Sequence, residues 1–312
     1  MSLLSLLSVV SIDRSELRDR VSENLTRSKN VMAVVLKDDA AKVGIVVLVA
    51  FVFLGLFGPM LAPYEPIEDT LRADDGGIMR MSPPSSAAPL GTTTFGKDVL
   101  SQFLAGARPT FIVGFFGGIG TGVVGFLVGL TSGYFGGRVD ELLMRLTDLT
   151  FALPFLPMAL LVLTFVQPTI VLITAVIVAF FWKMPARVIR SEVMTVRERT
   201  FVKSARAAGA GHGRTMFLHV APNVVGVGFL YTAYAVSWAI AGQASLAFLG
   251  FGDPTATSWG RMLQQVFESG GMREAWWWVL PPAIGIAAVT TSVFLVGRAF
   301  EEVVNPELRS EE

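Results

Sequence analysis

Long apolar runs alternate with short polar segments along most of the 312-residue chain. A transmembrane α-helix needs about 20 predominantly apolar residues to cross the hydrocarbon core of a bilayer. The runs that predict such spans are 43–62, 109–131, 142–166, 169–181 with its flanks, 224–251 and 276–300. Pro154 and Pro157 fall inside the third run and predict a bend there. The pattern therefore predicts an all-α, polytopic membrane protein with six transmembrane helices.

The polar segments between these runs predict the topology. Lysine and arginine are concentrated before the first span and between the fourth and fifth spans, so the positive-inside bias places both termini in the cytoplasm. The apolar stretch 3–12 lacks a basic leader and a small-residue cleavage site, so it is predicted to lie at the membrane surface rather than to act as a signal peptide. The predicted parts are a cytoplasmic amino-terminal segment (1–42), a first transmembrane helix (43–62), an external loop (63–108), a core domain of five transmembrane helices (109–300) with a polar loop at 191–222, and a cytoplasmic tail (301–312).

Composition narrows the possible functions. Only 16% of the residues are charged and the formal net charge is zero, so no nucleic-acid partner is expected. The chain has no cysteine, which excludes disulfides and thiolate nucleophiles, and its two histidines lie in the polar loop without a metal-ligand cluster. The paired acids Glu301-Glu302 and Glu311-Glu312 fall in the tail. We therefore expect neither catalysis nor a bound cofactor or metal in this chain.

Glycines recur at four-residue intervals in the second predicted span. They are Gly114, Gly118 and Gly122, followed by Gly125, Gly129 and Gly133. Small residues in this register let helix backbones approach closely, so the pattern predicts helix packing within the chain or between subunits. A substrate-facing role is the alternative. At the start of the last span, Trp276, Trp277 and Trp278 are typical of an interfacial aromatic belt.

The stretch 91–98 has the glycine and lysine spacing of a nucleotide-binding P-loop. Its last position is Asp98, where a P-loop needs a hydroxyl group for magnesium. No strand precedes the stretch, and the predicted topology places it outside the membrane. We therefore expect no ATP at this loop.

The polar interruption between the fourth and fifth spans extends from Lys183 to Asn223, and within it the sequence predicts a helix, a turn and a second short helix. The first helix ends at Gly209, a typical carboxy-terminal signal, and the second covers 214–220. Pro222 then ends it, and Asn223 is predicted to cap the next span. The apolar face of the first helix is predicted to consist of Phe201, Ala205 and Ala208, opposite Arg199, Lys203 and Arg206. The alternative is a basic loop that merely follows the positive-inside bias.

The order of residues in this loop resembles the coupling loop of ABC-importer permeases, which has a Glu-Ala-Ala triplet, a glycine four residues on and a Leu-Pro further downstream. The corresponding residues here are Lys203-Ser204-Ala205, Gly209 and Ala221-Pro222. Further similarities to the oligopeptide and dipeptide permeases, which carry an extra amino-terminal span and a long external loop, lie at 61–66, 89–101, 106–108, 133–137, 140–145, 244–252 and 258–260. Together they extend over roughly residues 42–306.

The resemblance implies a type I ABC importer permease fold and a transport subunit that forms half of a pathway for di- or oligopeptides. It implies four kinds of partner: a homologous second permease, two ATP-binding subunits that hold ATP and magnesium, an external substrate-binding protein, and membrane lipids. Within the family, a nickel chelate, an opine or a sugar is an alternative cargo. A stand-alone secondary transporter or channel is the alternative outside it, and would be indicated by ionisable residues in mid-membrane and inverted repeats.

The resemblance also implies which residues contact partners. The coupling candidates, within 201–218 and its flank, are Phe201, Lys203, Ser204, Ala205, Arg206, Gly209, Arg214 and Pro222. The candidates for external contact with the binding protein are Asp98, Arg108 and Arg261, with simple solvation as the alternative. Inside the predicted spans, Gln243 is expected to make an interhelical hydrogen bond, and Asp148 to pair with Arg145.

Overall fold

The structure is a computed structural model that describes residues 36–304. Within this range the regular structure is helical apart from two isolated β-bridges, Arg72 with Ile78 and Thr92 with Asp98. The predicted all-α class is therefore confirmed. The predictions for the apolar stretch 3–12, for most of the segment 1–42 and for the tail beyond 304 lie outside the described residues.

The helices follow one another with few long connections. In chain order they are α1 (Asp39–Leu61), α2 (Val99–Phe135), α3 (Gly137–Ala152), α4 (Phe155–Phe165), α5 (Ile170–Phe181), α6 (Lys183–Arg197), α7 (Thr200–Ala207), α8 (His212–Arg214), the π-helical turn π1 (Thr215–Val220), α9 (Ala221–Leu246), a second π-helical turn π2 (Ala247–Phe251), α10 (Trp259–Glu268) and α11 (Trp276–Val304).

Four helical segments among the described residues are long and apolar enough to cross a membrane: 39–61, 99–135, 212–251 and 276–301. Two bent pairs, α3 with α4 and α5 with α6, bring the number to six if each pair is one span. The predicted polytopic architecture is thus confirmed. The third predicted span is bent, as its prolines predict, and the fourth is bent as well.

Prolines account for both breaks. The angle between α3 and α4 is 84°, and it falls at Leu153, which is extended because Pro154 follows it. The angle between α5 and α6 is 41°, next to Trp182. Pro185 lies one turn further on and has no amide hydrogen to donate to the carbonyl oxygen of Phe181.

The segment after Phe181 is not the polar loop that the sequence predicts. Residues 183–197 form α6, an amphipathic helix with one face buried against α2. The buried residues are Lys183, Pro185, Ala186, Ile189, Val193 and Val196. Their spacing is helical, so the periodicity of this stretch was the signal that its charged residues obscured.

The second predicted span also begins earlier than its sequence indicates, at Val99 rather than Pro109. Asp98 sets this start, because its carboxylate accepts a hydrogen bond from the Ser101 amide at 2.8 Å. Pro109 favours a helix start from sequence alone, but it lies in the helix interior, as transmembrane helices tolerate. The connection between α1 and α2, predicted to be external, therefore covers 62–98 only.

The glycines of α2 lie against two other helices. Gly114, Gly118 and Gly122 contact α9, where a methyl group added at Gly118 would lie 2.8 Å from the Cα atom of Val236. Gly125, Gly129 and Gly133 contact α6, where a methyl group added at Gly129 would lie 2.6 Å from the carbonyl oxygen of Ala186. The packing is within the chain, and the two stripes make α2 the axis around which α6 and α9 are arranged.

Tryptophans pack at the start of α10 and α11 instead of forming a full aromatic belt. Trp276 is exposed, but Trp277 and Trp278 are buried, so the belt prediction was wrong for two of the three residues. The connection 62–98 packs against Trp277, whose indole nitrogen donates to the carbonyl oxygen of Thr92 at 3.3 Å. Trp259 is also buried, and its indole donates to the Phe103 carbonyl oxygen at 2.9 Å, joining α10 to α2.

We predict that Gly129→Ala destabilises the chain by roughly 1–3 kcal/mol, because the added methyl group meets backbone atoms of α6 that cannot rotate away. Thermal unfolding of the detergent-purified protein measures the effect. Gly213→Ala is the matched control, since Gly213 is helical and has nothing within 4 Å of an added methyl group. Equal melting temperatures for the two variants would contradict the close-packing account.

Candidate functional site

The residues between α6 and α9, here called the α7–π1 segment (198–220), form a compact unit at the end of α2. Its helix α7 ends in a left-handed turn, with φ of +87° at Gly209. The Gly209 amide donates to the Arg206 carbonyl oxygen at 2.9 Å, and the Ala210 amide donates to that of Ala205 at 3.1 Å. This hydrogen-bond pattern is the Schellman motif, which favours glycine at the left-handed position. Gly209 has the role that its place in the sequence predicts.

The segment is anchored by a different face from the one that the sequence predicts. Val202 is fully buried, together with Met216 and Val220, against apolar side chains of α2 and α6. Phe201, which the sequence predicts for the apolar face of this helix, is 41% exposed. Successive residues of a helix point about 100° apart. A helix that packs on one side only therefore buries Val202 and leaves its neighbour Phe201 facing solvent or a partner protein.

The helix after the turn is continuous with the next span. The predicted end before Pro222 was wrong, because α8, π1, α9 and π2 form one helical run over 212–251. In a regular α-helix the ring of Pro222 would clash with the carbonyl group of Leu218. The wide turn π1 lies at this point and accommodates the proline. Asn223 is not a cap; its side-chain nitrogen donates to the His219 carbonyl oxygen at 2.7 Å.

Polar contacts tie α6, which leads into the segment, to the end of α2 and the start of α3. Arg197 donates to the carbonyl oxygens of Gly133 and Tyr134, at 2.9 and 3.3 Å, which have no amide partner within α2 because the helix ends there. Arg190 makes a two-point ion pair with Asp140 at the start of α3, at 2.5 and 2.6 Å. These contacts fix the orientation of α6 relative to α2 and α3.

Tyr134 links α2 to both parts of the segment. The guanidinium group of Arg206 in α7 lies 5.0 Å from the centre of the Tyr134 ring, within the range of a cation–π contact. The Tyr134 hydroxyl group lies 3.3 Å from the Nδ1 atom of His212 in α8. The segment is therefore held to the end of the glycine-packed helix at two points.

Lys203 occupies the place of the first residue of the triplet. Its ammonium group lies 3.1 Å from Glu198, which also lies 3.4 Å from the Nε atom of Arg197. The hydrogen bond and charge of Lys203 lower the pKa of the Glu198 carboxyl group below its usual range. Both groups of the Glu198–Lys203 ion pair are therefore charged at neutral pH. The pair is lost only on acidification, when the Glu198 carboxylate takes a proton.

One face of the segment is left uncovered by the described chain. Phe201, Phe217 and Leu218 are 41%, 53% and 62% exposed, on elements that pack against each other. The segment also exposes three cations: Lys203, Arg206 and Arg214. Ser204 is also exposed, and Ala205 is half-buried. Large apolar side chains that are exposed and flanked by charge are typical of a protein contact surface.

The external candidates have different environments. Asp98 is 3% exposed and caps α2, so its prediction as an exposed partner contact was wrong. Arg261 donates to the carbonyl oxygens of Asp253, Pro254 and Ala256, at 3.1, 2.7 and 3.1 Å, and so shapes the loop before α10. Arg108 is exposed on α2.

The two polar candidates of the spans are both engaged. Gln243 donates to the Ser258 hydroxyl oxygen at 3.1 Å, an interhelical hydrogen bond to the first residue before α10. Asp148 pairs with Arg187 of α6 and not with Arg145, which pairs with Glu141 at 2.5 Å. The sequence could not give this pairing, because it depends on the helix α6 that was taken for a loop.

Two family models match the chain. Residues 125–310 match the binding-protein-dependent transport system inner membrane component, and residues 27–84 match the N-terminal TM domain of oligopeptide transport permease C. Together the two matched ranges include most of α1 to α11, and the first extends over the α7–π1 segment.

Curated relatives are similar over most of their length. A di/tripeptide transport system permease of Pseudomonas aeruginosa is 33% identical over 86% of this chain and 88% of its own. A dipeptide transport system permease of Alkalihalophilus pseudofirmus is 29% identical over 88% of both chains. A putative peptide permease of Brucella suis is 31% identical over 95% of this chain and 97% of its own.

We predict that Gly209→Val opens the end of α7, because a branched residue in the left-handed conformation costs roughly 1–2 kcal/mol. Hydrogen exchange should show faster exchange of the Ala210 amide, which donates to Ala205. Gly211→Val is the matched control: neither glycine has an atom within 4 Å of an added methyl group, but Gly211 has φ of −66°. Equal exchange in the two variants would contradict a backbone role for Gly209.

Proposed function

The chain belongs to the family of binding-protein-dependent transport system inner membrane components, and we propose that it is a permease subunit of an ABC importer for di- or oligopeptides. The proposal has one principal observation behind it: the uncovered face of the α7–π1 segment lies in the region of the coupling motif, on a helix fixed to the transmembrane core. The peptide cargo is suggested by the names of the relatives from Pseudomonas aeruginosa and Alkalihalophilus pseudofirmus.

The chain forms half of the translocation pathway, and a homologous second permease forms the other half. Two ATP-binding subunits hold ATP and magnesium and carry out hydrolysis. The stretch 91–98, which has the spacing of a P-loop, supports ATP binding by separate subunits, because its lysine forms hydrogen bonds within the chain. The Lys97 ammonium group donates to the Glu68 carbonyl oxygen at 2.9 Å and to the Thr70 hydroxyl oxygen at 3.0 Å.

The α7–π1 segment docks on an ATP-binding subunit through Phe201, Phe217 and Leu218. Val202, beneath this face, joins the segment to α2 and α6, so a displacement of the docked face moves these helices with it. The helical run 212–251 extends from the segment to the far end of α9 without interruption. Rigid-body movement of such packed elements is a common means of switching between conformations.

The predicted topology determines on which side of the membrane each partner binds. With both termini in the cytoplasm, the α7–π1 segment lies on the cytoplasmic side, and the connections 62–98 and 252–275 lie outside. An external binding protein delivers peptide to these outer connections. Arg108 is an exposed candidate for that contact, whereas Arg261 contributes by holding the loop 253–256.

We predict that Phe201→Ala weakens the association with the ATP-binding subunits by about tenfold, the effect of truncating an aromatic anchor in an interface. Co-purification of these subunits with the tagged chain, titrated with increasing salt and detergent, measures the change. Leu142→Ala is the control, since Leu142 is also exposed, at 69%, but lies on α3 outside the face.

Equal recovery of the ATP-binding subunits with both variants would contradict docking through Phe201. A wild-type chain that purifies alone and still moves solute across vesicles would indicate a stand-alone carrier or channel. If the assembled transporter takes up a nickel chelate, an opine or a sugar and no peptide, the assignment of peptide as the cargo is wrong and the assignment as an importer permease stands.

A further inference from the structure

Helix α6 presents a row of three cations to α3. Lys183, Arg187 and Arg190 follow one another at intervals of about one helical turn. Arg187 pairs with Asp148 and Arg190 pairs with Asp140, so these two charges are neutralised. Among the described residues no carboxylate forms an ion pair with Lys183; its ammonium group donates to the Thr150 carbonyl oxygen at 2.8 Å. The row therefore ends in a cation without a counter-charge.

Lys183 is the first residue of α6 and lies next to the bend between α5 and α6. It is 9% exposed, and it follows Ile170 at the outer end of α5 by about 20 Å at 1.5 Å per residue. A buried ammonium group in a membrane span is costly unless something compensates its charge. The carbonyl oxygen of Thr150, near the end of α3, and the ring of Phe151, at 4.9 Å, supply part of this compensation. An ammonium group has three donors, and the described residues accept from one of them.

Lys183 is one of the residues that line a cavity of 360 Å³ between α4, the bend of α5 and α6, and α9. Its volume is in the range of sites that hold small molecules. Lys183 is the charged residue of its lining, and most of the other lining residues are aromatic or small: Phe155, Phe181, Trp238, Ala241, Gly242 and Ser245. A ligand that matches this lining has one anionic group and an apolar part.

We propose that Lys183 is a binding residue for the carboxylate of a small ligand held in this cavity, and that in transport the ligand is the carboxy terminus of a short peptide. The identity of the ligand rests on the proposed function. The carboxylate accepts the free donors of Lys183, and the peptide side chain lies against Phe155, Phe181 and Trp238. This places a point of carboxylate recognition in the permease itself, separate from the external binding protein.

Lys183→Gln tests the proposal, because glutamine retains a donor for the Thr150 carbonyl oxygen but removes the charge. Uptake of alanyl-leucine and of its carboxy-terminal amide is measured in vesicles with the assembled transporter. The preference for the free acid should fall by about 10- to 100-fold relative to wild type, the strength of a charge-assisted hydrogen bond. The same binding protein is used throughout, so its own preference cancels in the comparison.

Two further variants complete the test. Lys183→Arg should retain the preference for the free acid. Arg187→Gln is the matched control, since it removes a cation one turn away whose charge Asp148 already neutralises, and it too should retain the preference. Co-purification of the ATP-binding subunits verifies that each variant is assembled. Equal losses of both substrates in Lys183→Gln would mean that Lys183 only supports the break between α3 and α4, and would overturn the proposal.

A measurement on the wild-type transporter keeps the proposal testable if Lys183→Gln does not assemble. Alanyl-leucine should slow the modification of Lys183 by a membrane-permeant amine reagent, read by mass spectrometry, and the amide should not. Equal modification with both compounds overturns carboxylate binding while leaving peptide import in place. A wild-type transporter that takes up neither compound contradicts peptide import, and the proposed ligand with it.

Discussion

The close contact between the backbone of α2 and the helices α6 and α9 is the constraint on which the rest of the structure depends. Lipid chains are as apolar as leucine, so helices inside a bilayer gain little from the hydrophobic effect when they associate and rely on close packing. Six glycines of α2 provide it, three toward each neighbour. Because the α7–π1 segment joins α6 to α9, both of its ends are attached to helices fixed on the same axis.

This arrangement gives the segment two distinct faces. Val202, Met216 and Val220 are buried against α2 and α6, and Arg197 and Tyr134 add polar contacts at the end of α2. Phe201, Phe217 and Leu218 face away and are exposed together with lysine and arginine side chains. In the proposed function, the inner face transmits movement to the core, and the outer face binds another protein. In our account this separation couples ATP hydrolysis in the partner subunits to rearrangement of the pathway.

Features that depend on local backbone chemistry could be predicted from the sequence. They include the spans, the bend at Pro154, the glycine register and the left-handed turn at Gly209. Features that depend on how helices meet could not. Helical periodicity does not decide between Phe201 and Val202 as the buried residue, and Pro109 favours a helix start until the cap at Asp98 is known. Lys183 lies at the edge of the polar interruption that the sequence predicts, since charge near the end of a span usually faces water. In the structure it is buried, and its ammonium group donates to the Thr150 carbonyl oxygen of α3.

Site-specific cross-linking from the uncovered face of the α7–π1 segment tests most directly whether this face binds an ATP-binding subunit. The chain has no native cysteine, so a single introduced cysteine is its only thiol. A single Phe201→Cys variant, treated in native membranes with a short bifunctional reagent, should cross-link to an ATP-binding subunit. Val202→Cys, one residue along on the buried face, should not. Cross-linking from residue 202 and none from residue 201, or a product with no ATP-binding subunit, would contradict the account.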